Sequence, residues 1–220
     1  MELINFAKLR TYEIVIVFED QNILVANKPS GISTHPEPGG ISLFEILSQE
    51  REVFELNRID KRVSGLVLFA KNKNSQTLIN KQIADGSTKK YYKAVVAKMP
   101  SPESGILENY LVKAKDKSYI SVQGNTKAKF SRLQYKLLKS SQKYHLLEIE
   151  LFTGRFHQIR CQLGNIGCPI LGDLKYGYKR SSPDGSIFLQ CYKLDFVHPV
   201  TKERVVFEIP EPEIWRKYGF

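Results

Sequence analysis

The chain has 220 residues, 42% of them hydrophobic, which fits one domain of somewhat more than the roughly 150 residues usual for one and excludes a disordered polymer. It contains no run of about 18 apolar residues that could span a bilayer, and "MELINFAKLRTYE" lacks the basic-then-apolar order of a signal peptide. Net charge is +10 and uneven: residues 1–55 carry four basic and nine acidic side chains, whereas the remainder carries 29 and 14, a cationic excess suited to a polyanion.

Taken in chain order, apolar β-branched runs dominate. Residues 12–18, "YEIVIVF", and 23–26, "ILVA", read as strands split by the turn "EDQN". A short helix is expected over 42–50 with Ser42 as its N-cap. The run 65–70 reads as a buried strand, and 74–84 as a helix stopped by "DG". A strand follows at 91–97, then a long hairpin from 127–138 and 143–152 turning at "SSQ". Residues 156–165 read as helix, ending near Gly164 and Asn165. Strands at 187–196 and 203–209 follow, and "PEIWRKY" forms a last helical turn. Many strands and few helices in irregular order indicate an α+β domain spanning 1–220, with no internal repeat.

Cys161, Cys168 and Cys191 show no framework spacing, which points to a reducing, cytoplasmic setting. His157 and Cys161 are four apart on an expected helix, but His35, His145 and the other cysteines supply no second ligand pair for zinc. GxxxxGK[ST], GxGxxG and GxSxG are all missing, so nothing supports a nucleotide cofactor or a serine elbow. Aromatic and basic residues interleave in "KKYYKAVVAK" and "KAKFSRLQYKLLK", a mixture that can stack on bases and meet phosphates.

One acidic group stands apart. In "LNRIDKRVSGLVLFAKN", residues 56–72, Asp60 lies among Arg58, Lys61 and Arg62 just before a strongly apolar run. Neighbouring positive charge favours a carboxylate's ionised form, which suits a nucleophile or base better than an acid. By itself such a loop is as well explained by surface ion pairs. A second block, "LFTGRFHQIRCQLGNIGCPILGDLKYG" over 151–177, clusters Arg155, His157, Gln158 and Arg160 as donors facing an anion.

Together these blocks resemble the RluA-type pseudouridine synthases. "NRIDKRVSGL" is similar to the family's H-R-L-D-x-x-T-S-G-L, "ILVANKPSGISTHP" to its N-K-P-x-G segment, and "KKYYKAVV" to K-x-Y-x-A, which selects Tyr92. "GRFHQIRCQL" matches G-R-x-H-Q-I-R-x-x-L, and "IGCPILGDLKYG" matches the segment after it. Two departures stand out: Asn57 replaces the usual His, and Val63 the usual Thr. The resemblance implies a bent, mixed but mainly antiparallel sheet flanked by helices around a cleft, without a separate N-terminal RNA-binding module. It also implies isomerisation of a uridine in structured RNA, a tRNA or large-subunit rRNA stem-loop, by a monomer that needs no cofactor or metal. Asp60 is then the catalytic carboxylate, Arg160 its counter-charge, and Tyr92 a platform for the base. Leu163 is expected in the pocket wall and Arg58 in the space left by the flipped base, while Lys28, Arg155 and His157 are expected to position RNA. A non-catalytic RNA-binding or ribosome-assembly protein on the same scaffold is the rival expectation.

Overall fold

A computed structural model describes Tyr12 and residues 14–220. Among them, eleven strands form one sheet: β1 (Val15–Glu19), β2 (Ile23–Lys28), β3 (Phe54–Glu55), β4 (Ser64–Ala70), β5 (Lys89–Val96), β6 (Ser104–Lys113), β7 (Ser118–Ser121), β8 (Lys129–Ser140), β9 (His145–Leu151), β10 (Leu189–Val197) and β11 (Arg204–Glu208). Three α-helices, α1 (Leu43–Ser48), α2 (Lys73–Asp85) and α3 (Gln158–Asn165), accompany it. The strand expected at 12–18 starts at Val15, and its residue 13 lies outside the described residues, as does 1–11. Strands β3, β6 and β7 had no counterpart among the elements expected from sequence.

The sheet runs β1-β2-β4-β10-β5-β9-β8-β6-β7, and all pairings are antiparallel except β4 with β10. Ile23–Ala26 and Leu66–Ala70 are buried on both faces, which explains why β2 and β4 are continuous apolar runs. Strand β8 instead alternates buried Ser131, Leu133 and Tyr135 with outward residues, so one of its faces is wet. Strand β4 meets β10 only at Ser64 and Gly65, and farther along pairs with β3. The sheet therefore divides at this point, and the loop entering β4 emerges there. Gly65 permits the approach: at φ +121° a Cβ on it would lie 2.3 Å from the Cys191 carbonyl oxygen.

The helices follow their sequence signals. Ser42 Oγ accepts from the Glu45 amide while the Glu45 carboxylate accepts from the Ser42 amide, a reciprocal N-cap. Gly86, left-handed at φ +80°, ends α2. The last helical turn, Glu213–Tyr218, buries Trp215 against Phe188 with their rings 5.6 Å apart.

Candidate active site

The loop between β3 and β4 is held from beneath by residues that follow β2. Thr34 Oγ1 donates to the Ile59 carbonyl at 2.9 Å and accepts from the Ile59 amide at 3.2 Å. The Gly31 amide donates to the Lys61 carbonyl, and Ser30 Oγ to that of Arg62. Lys28 completes the clamp: its Nζ donates to the carbonyls of Pro29, Ile32 and Lys61. Burial lowers its ammonium to about 7, against the opposing charge of Asp60. The expectation that Lys28 positions RNA is therefore corrected. Its side chain is fully buried, because β2 is covered on both faces, and among the described residues its hydrogen bonds go to loop carbonyls.

The departures from the family pattern have local explanations. Asn57 Oδ1 accepts from the Leu68 amide at 2.7 Å, and Asn57 Nδ2 donates to the Leu66 carbonyl at 3.5 Å. Its side chain thus serves as a partner for the edge of β4, work that an amide does without titrating. Val63 is buried and contributes an apolar wall to the pocket. Arg62 turns the other way and donates to the carbonyls of Gly172 and Gly185, tying the loop to the segment before β10.

Across the cleft, Gln158 knits the turn that precedes α3. Its Oε1 accepts from the Arg155 amide and Thr153 Oγ1, and its Nε2 donates to the Arg132 carbonyl on β8. His157 takes a left-handed conformation at φ 52° to start the helix. Arg160, on the first turn, points at the Asp60 loop. Its Nη1 donates to Asp60 Oδ2 at 2.8 Å, while Nε and Nη2 grip both oxygens of Asp173 at 2.7 and 2.9 Å. Asp173 is fully buried, so the guanidinium is locked in plane before it meets Asp60. Burial would lower the Arg160 pKa, but the hydrogen bonds and charge of Asp173, then Asp60, outweigh it and hold it raised. Asp60 itself remains one-quarter exposed, open to the pocket.

His157 stands beside this array, its Nε2 3.6 Å from Asp60 Oδ2. The Ser118 amide donates to the Tyr176 hydroxyl at 2.7 Å, and that hydroxyl lies 3.0 Å from His157 Nδ1. With the amide already donating, a phenol proton given to Nδ1 would put the imidazole proton on Nε2, facing Asp60. Burial lowers the imidazole to about 4, so the ring is neutral at physiological pH.

Tyr92 lines the same pocket from β5 and is nearly buried. Burial first, then Cys191 beside it and the charge of Asp60, push its phenol well above the usual value, so it stays protonated. Leu151, Ile159 and Leu189 supply apolar walls. Leu163 does not line the pocket, contrary to expectation. It lies one turn deeper along α3 in the core, and Ile159 holds the place on the same face that reaches the cavity. Arg58 and Arg155 line the mouth from exposed positions. The structure thus brings Asp60, Tyr92, His157 and Arg160 together, with the two arginines above them.

Asp173 and Tyr176 fall inside a quoted segment but drew no role from the sequence. The signal was available in Asp173, a single carboxylate embedded in the apolar run "CPILGDL". Two of the interleaved cations of β8 face away from the pocket. Tyr92, Ile149 and Tyr135 are successive cross-strand partners on the pocket side, so Arg132 and Lys136 alternate onto the opposite face. There they lie 3.4 Å from Glu108 and 2.7 Å from Glu148.

Residues 22–165 match the family model described as RNA pseudouridylate synthase. An "Uncharacterized RNA pseudouridine synthase" of Aquifex aeolicus is 31% identical over 92% of this chain and 71% of its own length. "Ribosomal large subunit pseudouridine synthase C" of Vibrio cholerae is 29% identical over 94% of this chain and 68% of its own. Among solved structures, "Human RNA Pseudouridylate Synthase Domain Containing 4" superposes with a TM-score of 0.75 at 22% identity, covering 91% of this chain and 90% of that one.

Proposed function

The chain belongs to the RluA-type family of RNA pseudouridine synthases, isomerases that turn uridine into pseudouridine in RNA, and on that premise we propose that Asp60 carries the reaction. The observation that supports this most is the Asp60–Arg160–Asp173 array. One carboxylate is held by an arginine whose other face is fixed by a buried carboxylate, while the first remains open to a pocket. An anion so placed can attack the ribose anomeric carbon or take a neighbouring ribose proton, and either route needs the negative charge.

The base must leave the RNA stack to reach Asp60, which costs a few kcal/mol. Tyr92 gives the flipped uracil a flat surface, and its phenol, kept protonated, can donate a hydrogen bond there. Arg58, exposed at the mouth, fills or braces the space that the base vacates. The pocket turns the base within apolar walls, so that carbon 5 replaces nitrogen 1 at the sugar. The substrate is a stem-loop of large-subunit rRNA or tRNA, a reading supported by the cationic excess after residue 55 and by the ribosomal name of one relative.

Mapping pseudouridines in RNA from cells with and without the gene tests this reading and identifies the target. A site lost on deletion, restored by wild-type protein and not by Asp60→Asn, is the expected result. Restoration by Asp60→Asn would instead favour a non-catalytic RNA-binding role.

A further inference from the structure

Strand β5 begins with cations that the fold treats in two ways. Lys89 and Lys93 alternate onto the outer face, where Lys89 lies 3.6 Å from Glu150 and Lys93 2.6 Å from Glu211. Lys90 is on the inner face, two residues before Tyr92, and makes no ion pair or side-chain hydrogen bond among the described residues. Its ammonium sits over Gly154, 4.0 Å from where a Cβ on that glycine would stand, and Gly154 lines the pocket. Gly154 has no side chain to stand between this ammonium and the pocket it lines.

A lysine on an open surface is solvated and carries little information. Lys90 differs because its head is drawn partly out of water, and burial lowers its pKa as a result. A charge in that position without a counter-ion is unfavourable until an anion arrives. The proposed substrate brings anions at every nucleotide, and the phosphates flanking a flipped uridine must pass the mouth of the pocket.

We propose that Lys90 is a phosphate-binding residue, taking one backbone phosphate of the RNA next to the flipped nucleotide at the mouth above Gly154. The assignment rests on the family reading and deepens it by separating a half-buried phosphate contact beside Gly154 from the exposed arginines.

The test is equilibrium binding of an RNA stem-loop with uridines in its loop, measured over a salt series. Lys90→Met keeps the length of the stem and removes the charge. Its slope of log affinity against log salt should be shallower than wild type by about 0.7–0.9, the loss of one phosphate contact. Lys90→Arg should restore the slope, and Lys89→Met, one residue away on the outer face, should leave it unchanged. A wild-type slope in Lys90→Met, or an equal loss in Lys89→Met, would overturn the proposal. Thermal unfolding of each variant separates charge loss from misfolding, because a merely structural role would move the melting temperature and not the slope. The family reading fails independently: the protein would then form no pseudouridine while its Lys90-dependent slope persisted.

Discussion

The floor and the rim of the cleft handle charge in opposite ways. On the floor, the carboxylates of Asp60 and Asp173 are both engaged by Arg160, and the loop beneath is pinned by Lys28 and Thr34. At the rim, Arg58 and Arg155 are exposed, and neither has a carboxylate partner among the described residues. Paired groups are fixed in geometry before substrate arrives, which suits chemistry. Unpaired cations can exchange counter-ions for phosphates, which suits affinity. Floor variants should therefore change turnover and rim variants binding.

The largest effect is expected on the floor. Asp60→Asn nearly preserves shape but removes the anion, so single-turnover pseudouridine formation should fall by on the order of 10⁴-fold or more, as when a reacting group is deleted elsewhere. RNA affinity, followed separately, should stay near wild type. Substantial isomerisation by this variant would end the assignment and erase the contrast with the rim.

Asp173→Ala comes next, although this residue touches no substrate. It leaves Arg160 buried with half its partners, a defect worth about 3–5 kcal/mol of stability. The released guanidinium should also cost roughly 10²-fold in turnover by misplacing Asp60. Denaturant unfolding and single-turnover rates measure the two effects. An unaltered rate in a destabilised protein would show that Asp173 holds the fold and not the site.

His157→Gln should act more weakly, by on the order of ten-fold or less in rate, since it disturbs two modest polar contacts, with Tyr176 and Asp60. The folded imidazole titrates near 4, below its ordinary 6.5, so it contributes no limb to the rate profile above pH 5. The sign for stability follows from the same shift. As pH falls from about 6.5 toward 4, the unfolded chain takes up a proton that the folded ring refuses, so wild type loses stability across that window. His157→Gln should lose less there. A rate limb near neutrality that disappears in the variant would contradict a neutral His157.

The smallest effect belongs to the rim. Arg155→Gln should weaken RNA binding with a salt slope shallower by about 0.7–0.9, leaving the rate at saturating RNA unchanged. A fall in the saturated rate would move Arg155 from rim to floor.

Local signals in the chain determined much of this molecule. The continuous apolar runs of β2 and β4, the Ser42 cap and the "DG" stop of α2 each depend on residues within a few positions, so composition and spacing suffice to read them. Charge pattern singled out Asp60 and Arg160, but their roles and that of Tyr92 were legible only through the family resemblance, because motif order substitutes for distance. Tertiary structure decided the rest. Arg160 and Asp60 are 100 residues apart, and nothing local requires that they meet. Strand β6 went unread because Glu108 and Asn109 interrupt its apolar residues, and it is the register against β8 that makes the segment a strand. Lys28 was expected to position RNA, but two-sided coverage of β2 buries it over the loop carbonyls. Lys89 and Lys90 are adjacent in sequence, yet alternation about the strand sends one to Glu150 and the other to the mouth above Gly154. Which face becomes the cleft is set by partners far away in the chain, and no window of sequence contains them.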